Sequence, residues 1–217
     1  MPPPPLPVTI ESLLMTNTQS FEIVEKTSPY EGYYRVDRFR VRHSLHDGGT
    51  SALLEREVFD RGHVGAVLPV DPVHDKVVLI EQFRPGALAA GWHPWVIECV
   101  AGVIEEGEQP EDLARREAVE EAGCTISDLK PVFRFLTSPG ASSETVTLFA
   151  GRVDSSNVGG IHGLVDEGED IKVLVMSVDE ALALLRDGRI VNAKTIIALQ
   201  WLAANYSVLK AEWQAGA

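Results

Sequence analysis

The stretch from Gly102 to Cys124, GVIEEGEQPEDLARREAVEEAGC, constrains this chain more than any other. Glu117, Glu120 and Glu121 follow one another at steps that place all three carboxylates within an arc of roughly 100° on an α-helix. Like charges at this spacing repel one another, and only Arg116 lies close enough along the chain to offset them. Because carboxylate oxygens are the ligands that hard divalent cations prefer, the pattern indicates a metal site on a helix.

The same stretch carries the start and stop signals of a helix. Pro110 suits the first turn, where its missing N–H is not needed, and Gln109 before it is a weak cap. Gly123 fits the left-handed position that ends a helix. Small apolar side chains are expected beside the carboxylates, where they would let the helix lie close to a sheet: Ala114, Ala118, Val119 and Ala122. The alternative interpretation is a solvated acidic helix with a glycine stop.

Composition limits the class of protein. The chain has 217 residues, 45% of them hydrophobic and 24% charged, which is ordinary for a globular protein with one large domain or a main and an accessory domain. Its formal charge of −13 argues against a nucleic-acid partner, because phosphate backbones attract basic surfaces. No apolar run approaches the length of a membrane span, so no membrane partner is expected.

The termini and cysteines point to a cytoplasmic protein. The first eight residues, MPPPPLPV, are expected to form a flexible proline-rich tail and lack the pattern of a signal peptide. Cys99 and Cys124 are too few for a disulfide framework or a zinc site, and we interpret them as reduced core thiols. The six histidines show no zinc-type spacing.

Three short alternating runs are predicted to form an antiparallel sheet near the N-terminus, at residues 20–26, 33–41 and 53–59. A free three-stranded sheet is only marginally stable. We therefore expect a domain over residues 1–57 that packs either on its own catalytic domain, residues 58–217, or on a second subunit.

The remaining chain alternates strands with helices. Strands are predicted at 64–70, 76–82, 95–103, 132–136, 145–153 and 171–176. Residues 85–95 and 154–170 are predicted as loops. A capping box at Ser177–Glu180 opens a helix that Gly188 ends, and Asn192 is expected to cap the last helix. The order allows an α/β/α sandwich with a mixed sheet.

The spacing of Gly102, Glu108, the Arg116–Glu117 pair, Glu120–Glu121 and Gly123 resembles the signature of the Nudix hydrolases. That family cleaves nucleoside diphosphates linked to another group, and the resemblance implies its α/β/α fold with a small N-terminal sheet domain. Ala118 and Cys124 stand where the family usually has bulkier aliphatic residues.

The resemblance extends to the bacterial ADP-ribose pyrophosphatase subgroup. Pro139, 16 positions after Gly123, matches the proline that marks the subgroup. Two stretches near the C-terminus also resemble these enzymes, GIHGLVDEGEDIKV and NAKTIIALQWL. The implied reaction is hydrolysis of ADP-ribose to AMP and ribose 5-phosphate. The implied assembly is a homodimer in which the N-terminal sheet is exchanged between subunits.

The resemblance also implies the metal ligands. They are the backbone carbonyl of Ala101 and the side chains of Glu117 and Glu121, binding two or three Mg²⁺ ions, with Mn²⁺ as the alternative. Glu120 is expected near the cluster with a catalytic role. In the glycine-rich acidic segment 154–170, Glu167 is expected as the catalytic base and Glu169 as an alternate base or ligand. His162 in that segment is the histidine most worth testing.

Substrate contacts follow from the same resemblance. Arg56 and Arg84 are expected to hold phosphate oxygens, and Tyr33 to stack on the adenine from the partner subunit. Glu144 is expected to contact the terminal ribose, and Gly140 is expected to bind the substrate. Val103 is expected to line the approach to the site.

Of three alternative functions, one remains open and two are disfavoured. The first is hydrolysis of another nucleoside-diphosphate sugar, such as GDP-mannose. A non-catalytic Nudix module that binds ADP-ribose is disfavoured, because all four acids of the signature are present. A transcription regulator is disfavoured because no residues remain for a DNA-binding domain and the net charge has the wrong sign.

Overall fold

The computed structural model describes residues 19–215, so the proline-rich tail expected at residues 1–8 lies outside the described part. Contacts divide the chain into two compact units. One comprises residues up to Gly62 together with Leu136–Glu144, and the other comprises His63–Phe135 and Thr145–Ala217. No helix among the described residues is long and apolar enough to cross a membrane.

The first unit is built on a three-stranded antiparallel sheet. Its strands, in spatial and chain order, are β1 (Phe21–Glu31), β2 (Arg35–His43) and β3 (Leu54–Asp60). All three were predicted, although β1 continues past the expected end at Lys26. Every residue of β1 is exposed, whereas most of β2 is half-buried or buried. The segment 136–144 runs beside β3, where Phe59 N–H donates to the carbonyl of Ala141 at 2.8 Å.

The second unit contains an eight-stranded mixed sheet. Its strands are β4 (Val64–Asp71), β5 (Lys76–Phe83), β6 (Trp95–Glu98), β7 (Val100–Val103), β8 (Asp128–Leu136), β9 (Thr145–Arg152), β10 (Gly160–His162) and β11 (Ile171–Ser177). The spatial order is β10-β11-β5-β4-β9-β8, with β6 beside β5 and β7 beside β4. Strands β4 and β9 run parallel, which makes the sheet mixed as predicted.

Four helices lie in the described part of the second unit. They are α1 (Pro85–Ala89), α2 (Pro110–Ala122), α3 (Val178–Arg186) and α4 (Ala193–Ala215). Both ends of α2 match the prediction from Pro110 and Gly123, and Gly123 has a left-handed φ of 63°. Helix α3 begins with the predicted capping box of Ser177 and Glu180.

Residues of the sheet alternate between two apolar layers. On β4, Ala66, Leu68 and Val70 pack with residues of α3 and α4, whereas Val67 packs in the layer that contains α2. This alternation is the period-two pattern of a strand that is covered on both faces. The predicted α/β/α sandwich is therefore confirmed for this unit.

Three local predictions were wrong. The expected loop 85–95 contains α1, and the expected loop 154–170 contains β10 and a 3₁₀ turn at Val165–Glu167. The single strand expected over 95–103 is two strands that pair with different neighbours. Between them, Cys99 N–H leaves the sheet ladder and donates to the hydroxyl of Thr195 at 2.8 Å.

Candidate active site

Helix α2 lies against the sheet through a stripe of alanines. Ala114, Ala118 and Ala122 recur every four residues and are fully buried. Their small side chains leave room for the flanking Glu117 and Glu121 to reach the strands, because residues next to the stripe lie at its edge. Val119 was expected in this stripe, but it is 54% exposed. It stands about 100° around the helix from Ala118, on the solvent side.

Gly102 on β7 makes space for a carboxylate. A β-carbon at this position would overlap the carboxyl group of Glu117. The signature therefore requires glycine here because a side chain approaches closely. As a result, the Glu117 carboxylate lies against the backbone of β7, directly after Ala101.

Glu121 lies beside the same strand, where one of its carboxylate oxygens accepts a hydrogen bond from Ala101 N–H at 3.0 Å. The residue is 3% exposed, and burial raises the pKa of Glu121 to about 8. Burial likewise raises the pKa of Glu117 to about 7, with Arg116 opposing the shift and Glu120 adding to it. The two ligands expected from the signature are thus short of positive charge within the protein.

Arg116 is the cation that the protein supplies. Its Nε lies 3.0 Å from Glu108, and its Nη1 lies 3.0 Å from Glu117 and 2.8 Å from Glu120. Glu120 is 27% exposed and is the most accessible of these three acids. The structure therefore places Glu120 at the edge of the cluster, bound to Arg116, and Glu121 in its interior.

The acidic segment after β9 brings one of its two candidate bases to this cluster. Glu169 adds to the raised pKa values of Glu117 and Glu121, and its carboxylate accepts a hydrogen bond from Leu164 N–H at 3.0 Å. Glu167 lies in the exposed 3₁₀ turn.

His162 packs against the end of α2. A β-carbon on Gly123 would come within 2.6 Å of the His162 ring, and Gly163 N–H donates to the carbonyl of Glu120 at 3.2 Å. The last glycine of the signature thus serves two purposes: it adopts a left-handed conformation, and it leaves room for the imidazole. His162 has a structural contact here, between helix α2 and the acidic segment.

Arg84 follows β5 and is held by an acid that the sequence analysis missed. Its Nε donates to the carboxylate of Glu98 at 2.6 Å, and the Glu98 side chain is 3% exposed. Burial alone would lower the pKa of Arg84, but Glu98, Glu121 and Glu169 outweigh it and raise the pKa. The sequence signal was a charged residue inside the apolar run WVIECVAGV, since buried charges need a partner.

Four expected substrate contacts belong to the first unit. Tyr33 is 91% exposed and stacks edge-on against Tyr34, next to an open cleft of about 520 Å³. Arg56 is exposed, and so is Gly140. Glu144 is largely buried and lies 3.1 Å from Nε of Arg61. In the second unit, Val103 is 40% exposed on β7, the strand that also carries Ala101 and Gly102.

A second acidic group has a different character. Among the described residues, the only three potential metal ligands within 4.8 Å of one another are Asp71, His74 and Asp154. One oxygen of Asp71 accepts from Val73 and His74 N–H, and the other accepts from Ser155 N–H and hydroxyl, with His74 Nδ1 at 2.8 Å. Since both oxygens of Asp71 are already fully bonded, this group ties a turn together.

Residues 61–199 match the NUDIX domain family. The chain is 49% identical over 192 residues to the ADP-ribose pyrophosphatase of Escherichia coli K12, covering 88% of this chain and 92% of the relative. It is 41% identical to the ADP-ribose pyrophosphatase of Haemophilus influenzae over 202 residues, covering 90% and 92%. It is 40% identical to the GDP-mannose pyrophosphatase of Cronobacter sakazakii over 150 residues, covering 68% and 77%. The chain therefore belongs to the NUDIX domain family and is a Nudix hydrolase.

Proposed function

We propose that this hydrolase cleaves the diphosphate of ADP-ribose into AMP and ribose 5-phosphate. The observation that carries the proposal is the pair of half-buried Glu117 and buried Glu121, both with raised pKa values beside Ala101 and Gly102. The choice of ADP-ribose is supported by two relatives named ADP-ribose pyrophosphatase that match this chain over most of their length.

Nudix hydrolases generally use divalent metal ions, and the donors at this site fit a hard cation. All are oxygens, one is the buried carboxylate of Glu121, and among the described residues only Arg116 forms an ion pair with the half-buried Glu117. We propose Mg²⁺, or Mn²⁺ in its place, with two or three ions held by the Ala101 carbonyl, Glu117 and Glu121. Bound there, the ions would polarise the diphosphate and lower the pKa of a bound water.

The protein's own side chains would orient the substrate and move the proton. Arg84 would hold a phosphate through its free Nη groups, since a guanidinium fork matches phosphate oxygens. Glu167 would take the proton from the attacking water, with Glu169 as the alternative base or ligand. Glu120 would add negative charge at the edge of the cluster, and Val103 would line the approach.

We propose that Tyr33 stacks on the adenine from the partner subunit, that Arg56 binds phosphate, that Glu144 meets the terminal ribose, and that Gly140 contacts the substrate. Stacking on Tyr33 is supported by its exposure beside an open cleft.

We further propose a homodimer in the cytoplasm, with residues 1–57 as the dimerisation domain and 58–217 as the catalytic domain. The wholly exposed strand β1 supports the dimer, because an exposed edge with apolar side chains such as Phe21 and Ile23 favours pairing with another chain. Gel filtration that gives only a species near the monomer mass of 23.7 kDa would refute this arrangement.

The direct test is release of AMP from ADP-ribose by the purified protein, with MgCl₂ and again with EDTA. We expect turnover that depends on the added ion. GDP-mannose and diadenosine polyphosphates serve as parallel substrates. GDP-mannose is the second candidate because a relative of that name is 40% identical. Faster cleavage of GDP-mannose than of ADP-ribose would overturn the substrate assignment, and binding of ADP-ribose without cleavage would favour a non-catalytic module.

A further inference from the structure

A chain of part-buried hydrogen bonds leads from Arg84 to the start of helix α4. One carboxylate oxygen of Glu98 accepts from Arg84 Nε at 2.6 Å, and the other accepts from Asn192 Nδ2. Asn192 caps α4, because its Oδ1 accepts from Thr195 N–H and hydroxyl at 3.1 Å each. Both residues that support Arg84 are therefore anchored in secondary structure, Glu98 at the end of β6 and Asn192 at the start of α4.

The direction of each bond in this chain is fixed. Asn192 cannot exchange its amide oxygen and nitrogen, since the oxygen is held by two donors of Thr195. Its Nδ2 must therefore face Glu98 as a donor. Arg84 Nε is also only a donor. Glu98 thus lies between two donors, and only a side chain with two acceptor oxygens satisfies both of them.

The consequence for Arg84 is a fixed guanidinium plane. Its backbone is held too, since Arg84 N–H donates to the carbonyl of Pro94 at 2.7 Å and the Arg84 carbonyl accepts from Ala87 N–H at 3.1 Å. The Nε edge is occupied by Glu98, while no hydrogen bond joins either Nη to another described residue. The two Nη groups form the edge that matches phosphate oxygens in a bidentate contact.

We propose that Glu98 is a positioning residue for the substrate: it holds Arg84 by Nε so that both Nη groups face the diphosphate, and Asn192 in turn holds Glu98. This inference rests on the proposed phosphate contact of Arg84. Preorganisation of this kind strengthens binding because the side chain is ordered before the substrate arrives.

The first test is Glu98→Gln. A glutamine side chain has one acceptor oxygen and one amide NH₂ group. The NH₂ group must therefore face another donor, either Arg84 Nε or Asn192 Nδ2. We expect KM for ADP-ribose to rise about tenfold, the scale of one lost charge-assisted hydrogen bond, with kcat within about threefold of wild type. Thermal unfolding of each variant shows whether it is folded.

A swap of the two polar groups is the matched rescue. In Glu98→Gln/Asn192→Asp, the carboxylate moves to position 192, where aspartate is a good helix cap. This carboxylate can accept from both Thr195 donors and from the amide NH₂ group introduced at position 98. The glutamine oxygen then faces Arg84 Nε. We expect KM to return to within about threefold of wild type, as the hydrogen-bond pattern is complementary again. Asn192→Asp alone places two carboxylates face to face and should raise KM.

Arg84→Ala separates this proposal from the proposed function. If Glu98 acts through Arg84, then adding Glu98→Gln to Arg84→Ala raises KM no further. A Glu98→Gln enzyme with wild-type KM, while Arg84→Ala raises KM, would overturn the role of Glu98 and leave the phosphate contact standing. Equal effects of Glu98→Gln in both backgrounds would show a general structural role instead. An unchanged KM in Arg84→Ala would overturn the phosphate contact and the role of Glu98 together.

Should Glu98→Gln fail to fold, Asn192→Ser provides the same test. Serine keeps the cap of α4 but removes the amide that supports Glu98. We expect KM to rise about threefold in this variant and to stay at the Arg84→Ala value when the two changes are combined. A wild-type KM in Asn192→Ser would show that Glu98 needs no support from α4.

Discussion

Two buried carboxylates of the second unit, Asp71 and Glu121, have opposite electrostatics. Both are almost fully buried. Burial alone would raise the pKa of Asp71, but hydrogen bonds from Ser155 and His74 hold it well below its usual range. Glu121 accepts one hydrogen bond, from Ala101, and its pKa is raised to about 8. A buried carboxylate whose oxygens all accept hydrogen bonds stabilises the fold. A buried carboxylate with few hydrogen-bond donors and a raised pKa indicates a candidate ligand-binding site.

The strongest test of this comparison is Glu121→Gln. We expect kcat for AMP release to fall by about a thousandfold or more, because the ion that stabilises charge in the transition state loses a ligand. Folding should be unaffected, since glutamine keeps the acceptor for Ala101 N–H. Glu106→Gln, an exposed acid before α2, is the control and should retain wild-type kcat. Full activity of Glu121→Gln would remove the basis for the metal site.

Asp71→Asn should show the opposite result. An asparagine side chain has one acceptor oxygen and one amide NH₂ group. The NH₂ group would face donors, either those of Val73 and His74 or those of Ser155. We expect the free energy of unfolding to fall by about 2–4 kcal/mol, measured by urea denaturation, while kcat stays near wild type. The exposed Asp154→Asn should cost less than about 1 kcal/mol. A large loss of kcat in folded Asp71→Asn would blur the distinction between the two sites.

Magnesium should distinguish the two sites by stability alone. A ligand that binds only the folded state stabilises it by about 2.7 kcal/mol at 100 times its Kd. We expect saturating MgCl₂ to raise the Tm of wild type and of Asp71→Asn by similar amounts, and to leave Glu121→Gln nearly unchanged. Differential scanning fluorimetry in EDTA and in MgCl₂ measures this. A magnesium shift that is lost in Asp71→Asn and kept in Glu121→Gln would place the ion at the wrong carboxylate.

The smallest expected effect is a dependence on pH. The folded-state pKa of Asp71 is depressed, so its stabilisation is present above the unfolded pKa of about 3.9 and is lost as pH falls below it. The difference in unfolding free energy between wild type and Asp71→Asn should therefore narrow below about pH 4. Urea denaturation at pH 3 and pH 6 provides the check. A difference that widens at low pH would contradict the sign of the shift.

Local signals in the sequence predicted the bounds of helix α2 well. Pro110 and Gly123 gave both ends of α2, and the capping box gave the start of α3. These signals work because capping depends on residues within one turn of each other. Of the residues expected beside the carboxylates, only Val119 was misplaced, because the sheet contact is narrower than the apolar face of the helix.

Features that depend on distant contacts could not be predicted. The break between β6 and β7 at Cys99 is fixed by Thr195, which lies 96 positions away in the sequence. Glu98 joins Arg84 to Asn192 through contacts of the same kind. The alternation of apolar residues in WVIECVAGV therefore predicts strand structure correctly. It predicts neither the break at Cys99 nor the partners of Glu98.

The close contact between Gly123 and His162 has a consequence for natural variation at the signature's last glycine. Asparagine is the residue that most often replaces glycine where the backbone turns left-handed. Here even that tolerant replacement would drive its β-carbon into an imidazole 2.6 Å away. Replacing Gly123 by asparagine would thus keep the end of the helix but displace the segment that carries Glu167 and Glu169. We expect kcat to fall while the protein stays folded.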